Sequence, residues 1–352
     1  MRTITIRLPA AAYPILIGNG ALAEAAETLC ALCPGKRVFV VTDENVWALH
    51  GARLDSVLAG QGISYGLKAL RPGEESKTLA TLEGLYGAFH AAGMQRRDPV
   101  VAFGGGVVGD TAGFAAATYM RGVPLVQIPT TLLAQADASV GGKVAVDLPQ
   151  GKNLAGCFYQ PSLVVADTAV LSTLPPREWN AGLAEVVKHA AIGSEELLAL
   201  LEGGRVDAME EIVALNCQCK ASFVERDSLD QSVRMMLNFG HTFGHAIEKY
   251  HDYKTYTHGE AVAMGMGLAL QAGRLLGVTP PEDARRLLSL MERLGLDAHA
   301  KDPADALVPL MAGDKKNIGG DINLVLLAGI GRPVPYPIQP QALASLLAGV
   351  NM

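Results

Sequence analysis

Short runs of β-branched and aromatic residues, KRVFVV (36–41), PVVAF (99–103), LVQI (125–128) and LVVA (163–166), recur through the first half of the chain. Between them lie stretches such as 44–58 and 78–92, whose apolar residues repeat at helical spacing. That alternation leaves few folds open. A strand that returns parallel to its predecessor needs a crossover of about a dozen residues or more, and the helix in the crossover must bury one face against the sheet. The strand runs are also apolar almost without a break, as in strands covered on both faces. The first half is therefore read as an α/β domain of nucleotide-binding type, built on a mostly parallel sheet. The opening MRTITIRLPA alternates polar and apolar like a further strand.

Adjacent prolines in STLPPR (172–177) end this pattern, and the sequence beyond them is rich in Ala, Leu and Met at helical period. The predicted organisation is an α/β domain over 1–176 and a mainly α-helical domain over 177–352, with ligands expected in the cleft between them. A short apolar hairpin near 322–327 is the one later strand signal. With 352 residues the chain is long enough for about two domains. Charged or amide side chains interrupt each apolar stretch before the roughly 18 residues a spanning helix needs, which excludes membrane insertion. A net charge of −6 lacks the general basic field of a duplex-binding protein, so no nucleic-acid partner is expected. The N-terminus has no apolar secretory core of about 7–15 residues. Five cysteines, Cys30, Cys33, Cys157, Cys217 and Cys219, are too few and too scattered for a disulfide framework or a four-thiolate zinc site. They are read as reduced, small buried residues of a cytoplasmic protein.

Three groups of residues carry chemistry. After Phe103 comes GGGVVGD (104–110), where Gly104, Gly106 and Gly109 have the spacing GxGxxG ahead of a helix. Backbone N–H groups in such a turn can cradle a pyrophosphate, although a tight strand-to-helix turn asks for the same glycines. The ribose-binding acid expected about 20 residues later is missing, and Asp43, just after KRVFVV, either serves instead or caps the next helix.

The second group is LNFGHTFGHAIEKY (237–250), in which Asn238, His241, His245 and Glu248 are spaced by three and four and would share one helix face. His241 and His245 have a divalent-metal spacing, but Thr242 follows the first histidine, so the HExxH protease pattern is absent. His258 in HGEAVAMG and Glu185 in GLAEVVKHAA add further donors. A glutamate amid Ala, Leu and Val would need a cation or metal if buried, or else lies on an exposed face, and periodicity leaves both open. The third group is cationic: Arg121, Lys143, Lys152, Lys188, Lys220, Arg234, Lys315 and Lys316. Singly these are solvated surface charges, whereas converging in one cleft they would bind a phosphate or carboxylate.

Eight motifs in order, GEESK (73–77), GGGVVGD, PTTLLAQADASVGGKVAVD (129–147), GKNLAGCFYQP (151–161), GLAEVVKH, LNFGHTFGHAIE, HGEAVAMG and GDKKN (313–317), resemble the 3-dehydroquinate synthase family over nearly the whole chain. The resemblance implies a lyase that uses NAD and one divalent metal, zinc or cobalt, on 3-deoxy-D-arabino-heptulosonate 7-phosphate. It implies Glu185, His241 and His258 as metal ligands and His245 as a site histidine that does not coordinate, which revises the HxxxH reading. For NAD the matching residues are Asp43, Asn45, Glu74, Lys77, Gly105, Gly106, Val107, Asp110, Thr130, Thr131 and Lys152, with Lys143 beside them. For substrate they are Asp137, Lys143, Asn153, Lys188, Lys220, Arg234, Asn238 and one of Lys315 and Lys316, with Lys316 the expected contact. Arg121 matches a residue that reaches phosphate from a neighbouring subunit, which implies a homodimer. The rival readings are another sugar-phosphate cyclase, a polyol dehydrogenase of glycerol dehydrogenase type that releases NADH, and a metal-stabilised nucleotide sensor.

Overall fold

In the computed structural model, which describes residues 1–9, 11–312 and 320–348, the chain forms two compact units. One comprises Met1–Pro175 and Met209–Ala221, the other Pro176–Ala208 and the residues from Ser222 onward. The strands of the first unit are β1 (Arg2–Leu8), β2 (Ala11–Gly18), β3 (Arg37–Asp43), β4 (Ser64–Leu70), β5 (Val100–Gly104), β6 (Leu125–Pro129), β7 (Lys143–Leu148), β8 (Gly151–Phe158) and β9 (Leu163–Asp167). Its helices are α1 (Ala21–Glu24), α2 (Ala26–Ala31), α3 (Glu44–Gly60), α4 (Leu79–Ala91) and α5 (Gly106–Thr118).

Seven strands form one sheet in the order β1-β2-β9-β6-β5-β3-β4, antiparallel between β1 and β2 and parallel elsewhere. The mostly parallel α/β domain expected from the sequence is therefore present, and β3, β5, β6 and β9 coincide with the four apolar runs. Their lack of alternation has a direct cause. On β3, Val38 and Val40 pack with Leu54 and Leu58 of α3, whereas Phe39 and Val41 pack with Leu82, Leu85 and Phe89 of α4. Successive crossovers thus cover opposite faces, and both sides of the strand are dry. Helices α3 and α4 start where short polar side chains accept backbone N–H groups: Asp43 from Val46 at 2.9 Å and Thr78 from Thr81 at 3.1 Å.

From β3 the chain goes outward to β4 and then returns to β5 on the other side of β3. This reversal is a topological switch point, the place where open α/β sheets leave a crevice beyond the carboxyl ends of their strands. Asp43 and Gly104 end the two strands that flank it.

The second unit is built from α6 (Pro176–Gly193), α7 (Glu195–Glu202), α9 (His241–Tyr250), α10 (His258–Leu275), α11 (Pro281–Arg293), α12 (Ala304–Ala312), α13 (Pro340–Ala348) and the antiparallel pair β10 (Ile322–Leu327) and β11 (Pro333–Ile338). The intervening α8 (Met209–Val224) gives its residues 209–221 to the first unit. No described helix is long and apolar enough to cross a membrane. All five cysteines are free. Cys33, Cys217 and Cys219 are buried as expected, but Cys157 is exposed on β8 and Cys30 is half-buried, with Lys36 Nζ 2.7 Å from its sulfur.

Candidate active site

In the first unit, the glycines after β5 have separable roles. A Cβ on Gly104 would lie 2.7 Å from the Val108 side chain, so the entry to α5 excludes one there, whereas one on Gly109 would lie 2.9 Å from Gln127 Oε1 and would require that amide to shift. At Gly106 a Cβ would meet only Ala138 Cβ, at 3.7 Å. The space beside Gly106 is therefore open at the N-terminal turn of α5, where helix N–H groups favour an anion. Asp43 acts as the helix cap the sequence allowed.

Beside this turn Lys77, 4% exposed, donates to Asp110 Oδ2 at 2.7 Å and lies 3.9 Å from Glu74 Oε1, with Lys152 Nζ 4.0 Å from the same oxygen. Burial would lower the Lys77 pKa, but Asp110 and Glu74 outweigh it and raise it. Burial raises Asp110 and Glu74 in spite of Lys77. Four charged residues predicted to meet NAD are thus one connected network.

A π-helical turn at Ala134–Ala138 brings Asp137 into place. Its widened turn is satisfied from one face of α8. Cys217 Sγ reaches the carbonyl of Gln135 at 3.3 Å, Asn216 donates to that of Ala136 at 2.6 Å, and Lys220 donates to that of Asp137 at 2.5 Å. Lys220 Nζ also pairs with Asp137 Oδ1 at 3.0 Å. Lys143 and Asn153 are exposed on the β7–β8 hairpin, Asn153 with φ +55° and its N–H held by Asp147 Oδ1 at 2.7 Å. Arg121 is exposed in a turn with φ +65°.

The second unit answers the question that periodicity left open at Glu185, which has no exposed surface. Lys188, 2% exposed, pairs with it from the next turn of α6. His241 Nε2 lies 3.3 Å and His258 Nε2 3.5 Å from Glu185 Oε1. One donor atom from each of these three residues lies within 4.8 Å of the others. Backbone-to-backbone helix contact makes this possible. A Cβ on Gly265 of α10 would sit 2.0 Å from the Gly240 carbonyl, and one on Gly259 would sit 2.2 Å from the Ala181 carbonyl of α6. His258 stands at the first position of α10, fixed by a capping box of Thr257 and Glu260, and Arg177 clamps Glu260 through two bonds of 2.7 and 2.8 Å.

The electrostatics suit a cation. Burial alone would raise Glu185, yet the Lys188 ammonium and the two imidazoles hold it well below the usual carboxylate range. Burial and Lys188 lower His241, whereas Glu185 and Glu248 overcome burial to push His258 up to about 10. One carboxylate and two imidazole Nε2 atoms, with no fourth protein ligand required, form the donor set of an open zinc or cobalt site. The residues present fit such a metal.

Asn238 departs from the single-face reading. It ends a 3₁₀ turn (Val233–Asn238), and Gly240, with φ +79°, breaks the chain before α9 begins, so only His241, His245 and Glu248 share that helix. His245 is exposed, its ring 5.4 Å from that of His241. Arg234 is 2% exposed on the same turn and donates to the Ser228 carbonyl at 3.1 Å. The sequence reading overlooked what orders this turn: the Asp227 carboxylate accepts the N–H groups of Gln231, Ser232 and Arg234 at 3.0, 2.6 and 3.1 Å. An Asp ahead of SLDQS is a loop-capping signal that could have found it. Lys315 and Lys316 lie outside the described residues.

Comparison with known proteins agrees. The family models described as 3-dehydroquinate synthase N-terminal and C-terminal match residues 68–181 and 182–317. The 3-dehydroquinate synthase of Pelotomaculum thermopropionicum is 43% identical over 95% of this chain and 92% of its own length. That of Caulobacter vibrioides is 45% identical over 94% of each. Among solved structures, 2-deoxy-scyllo-inosose synthase complexed with carbaglucose-6-phosphate, NAD+ and Co2+ superposes with a TM-score of 0.89, 28% identity and 98% and 99% coverage of the two chains. The 2-epi-5-epi-valiolone synthase of Streptomyces hygroscopicus, with NAD+ and Zn2+ bound, gives 0.88 at 28% identity and 97% coverage of both. Glycerol dehydrogenase of Schizosaccharomyces pombe, 18% identical with a TM-score of 0.65 over 95% of this chain and 87% of its own, shares the fold alone.

Proposed function

The chain belongs to the 3-dehydroquinate synthase family, and from that membership we infer that it converts 3-deoxy-D-arabino-heptulosonate 7-phosphate to 3-dehydroquinate and phosphate, a step of the shikimate pathway. The observation that carries the reading is the buried carboxylate of Glu185 facing the Nε2 atoms of His241 and His258. When bound, NAD supplies a hydride acceptor that becomes the donor again, and zinc or cobalt supplies Lewis-acid polarisation of substrate hydroxyls. Glu185, His241 and His258 would hold the metal. For NAD we assign Asp43, Asn45, Glu74, Lys77, Gly105, Gly106, Val107, Asp110, Thr130, Thr131, Lys143 and Lys152.

The chain's own residues then have these tasks. Lys143, Lys188, Lys220 and Arg234 neutralise the substrate's phosphate and carboxylate, with Asp137 and Asn153 binding its hydroxyls. The buried ammonium of Lys188 and guanidinium of Arg234 serve as fixed charges that need no reorganisation during elimination of phosphate. His245, exposed beside His241, holds or moves a proton at a substrate hydroxyl, and Asn238 orients it. Ring closure needs little more than retention of one substrate conformer. Lys316 is assigned a substrate contact on the resemblance alone. Arg121 is assigned to the phosphate of a second copy of the chain, so the active form is a homodimer, placed in the cytoplasm.

The test is turnover with NAD far below substrate. Phosphate should accumulate over many cycles with no lasting rise in NADH absorbance. Stoichiometric NADH would indicate a dehydrogenase, and silence with the heptulosonate but phosphate release from glucose 6-phosphate would indicate a different cyclase.

A further inference from the structure

A histidine can offer a metal only one nitrogen, and which one is decided by what holds the other. Both imidazoles of the proposed site meet this condition in the same sense. His241 presents Nε2 to Glu185 while its Nδ1 lies 3.2 Å from the Phe239 carbonyl. His258 presents Nε2 to Glu185 while its Nδ1 lies 3.2 Å from Glu248 Oε2. The two supports differ in kind, a neutral carbonyl for one and a carboxylate for the other. Glu248 is 3% exposed and stands on α9 seven residues beyond His241, two helical turns along the same face. Helix α9 therefore supplies a donor atom at its first residue and reaches back to the start of α10 from its third turn.

We propose that Glu248 is a positioning residue. It accepts the Nδ1 proton of His258, fixes the tautomer and ring plane that aim Nε2 at Glu185, and raises the basicity of that nitrogen toward a divalent metal. The proposal rests on the ligand reading above. It competes with a direct ligand role, because donor atoms of His245, Glu248 and His258 also lie within 4.8 Å of one another.

The test uses the full chain stripped of metal and titrated with Co2+ against a competing chelator, following both affinity and the visible d–d band. Glu248→Ala should weaken Co2+ binding about 10- to 100-fold with the band's position and intensity unchanged. Glu248→Gln is nearly isosteric and keeps an acceptor for Nδ1 without the charge, so it should fold as the parent does and fall between the two. Parental Co2+ affinity in both variants would overturn the proposal, as would an altered band, which would show that an inner ligand had been lost. His241→Ala and His258→Ala separate the two levels. If those variants retain Co2+, the ligand set itself is wrong. If they lose it while the Glu248 variants do not, only the positioning role fails.

Discussion

Asp227 gathers three backbone N–H groups and the Ser232 hydroxyl onto one carboxylate, and the turn it organises carries Arg234. Burial alone would raise its pKa, but the donors from Gln231, Arg234 and Ser232 bring it down to about 2 from 3.8. A carboxyl group held lower in the folded than in the unfolded chain stabilises the fold above the unfolded value, and the contribution fades as pH falls toward the folded one. Asp227→Asn should therefore cost about 1–2 kcal/mol at pH 7. In urea unfolding, the gap from the parent should narrow as pH is lowered from 4 toward 2. A gap independent of pH would mean that the charge contributes nothing. Residue types were legible only in part: His241, His245 and His258 stood out as possible donors, Glu185 was left open by periodicity, and the choice of Glu185, His241 and His258 rested on the family resemblance. Asp227 did not stand out, since a loop has no period against which one acid looks special. Asn238 was misjudged because a spacing rule assumes an unbroken helix, and Gly240 breaks it.

At the scale of elements, the second unit depends on helices that approach to backbone contact. Gly265 packs against Gly240 and Gly244, where a methyl group would lie 2.0 Å from a carbonyl oxygen and 2.7 Å from an amide nitrogen. Neither can move without shifting α9 and His241 with it. Gly265→Ala should destabilise the protein by about 3 kcal/mol or more, at the upper end of overpacking costs, and should weaken metal retention in the same variant. Chemical denaturation together with metal content checks both, and a variant of parental stability would show that the helix pair tolerates separation. The parallel strands were readable because burial on both faces forces apolar runs. The hairpin of β7 and β8 was not, since it stands outside that sheet and its residues are largely half-buried or exposed. Nor was β11 distinct, as Pro333, Pro335 and Pro337 argue against a strand. Alternate prolines, however, leave the N–H groups of Val334, Tyr336 and Ile338 for β10, and the other edge needs none.

At the scale of the whole molecule, copies of the chain can be mixed. If Arg121 serves the site of a neighbour, then Arg121→Ala and Lys188→Ala are each inactive alone but complementary together. A mixed dimer would combine an intact Lys188 with an Arg121 from the other copy. Denaturing and refolding a one-to-one mixture should restore about a quarter of parental phosphate release, as expected for random pairing with one competent site per mixed dimer. No recovery would place Arg121 in its own subunit's site or in none. Order along the chain predicts one boundary at the paired prolines and holds no sign that residues 209–221 group with the first unit. That segment reads as one more amphipathic helix, and only the carbonyls of the π-helical turn reveal where its donors go.

This return of the chain bears on how the protein emerges from a ribosome. The sheet-bearing unit is still missing one wall when residue 175 is made, and the carbonyls of Gln135, Ala136 and Asp137 wait for donors that lie some 80 positions further on. A gene cut at the obvious proline boundary would encode a piece with those oxygens bare. Completion of the first unit is thereby tied to synthesis as far as residue 221, so a piece ending at the prolines is not a free-standing cassette to be exchanged or inherited alone.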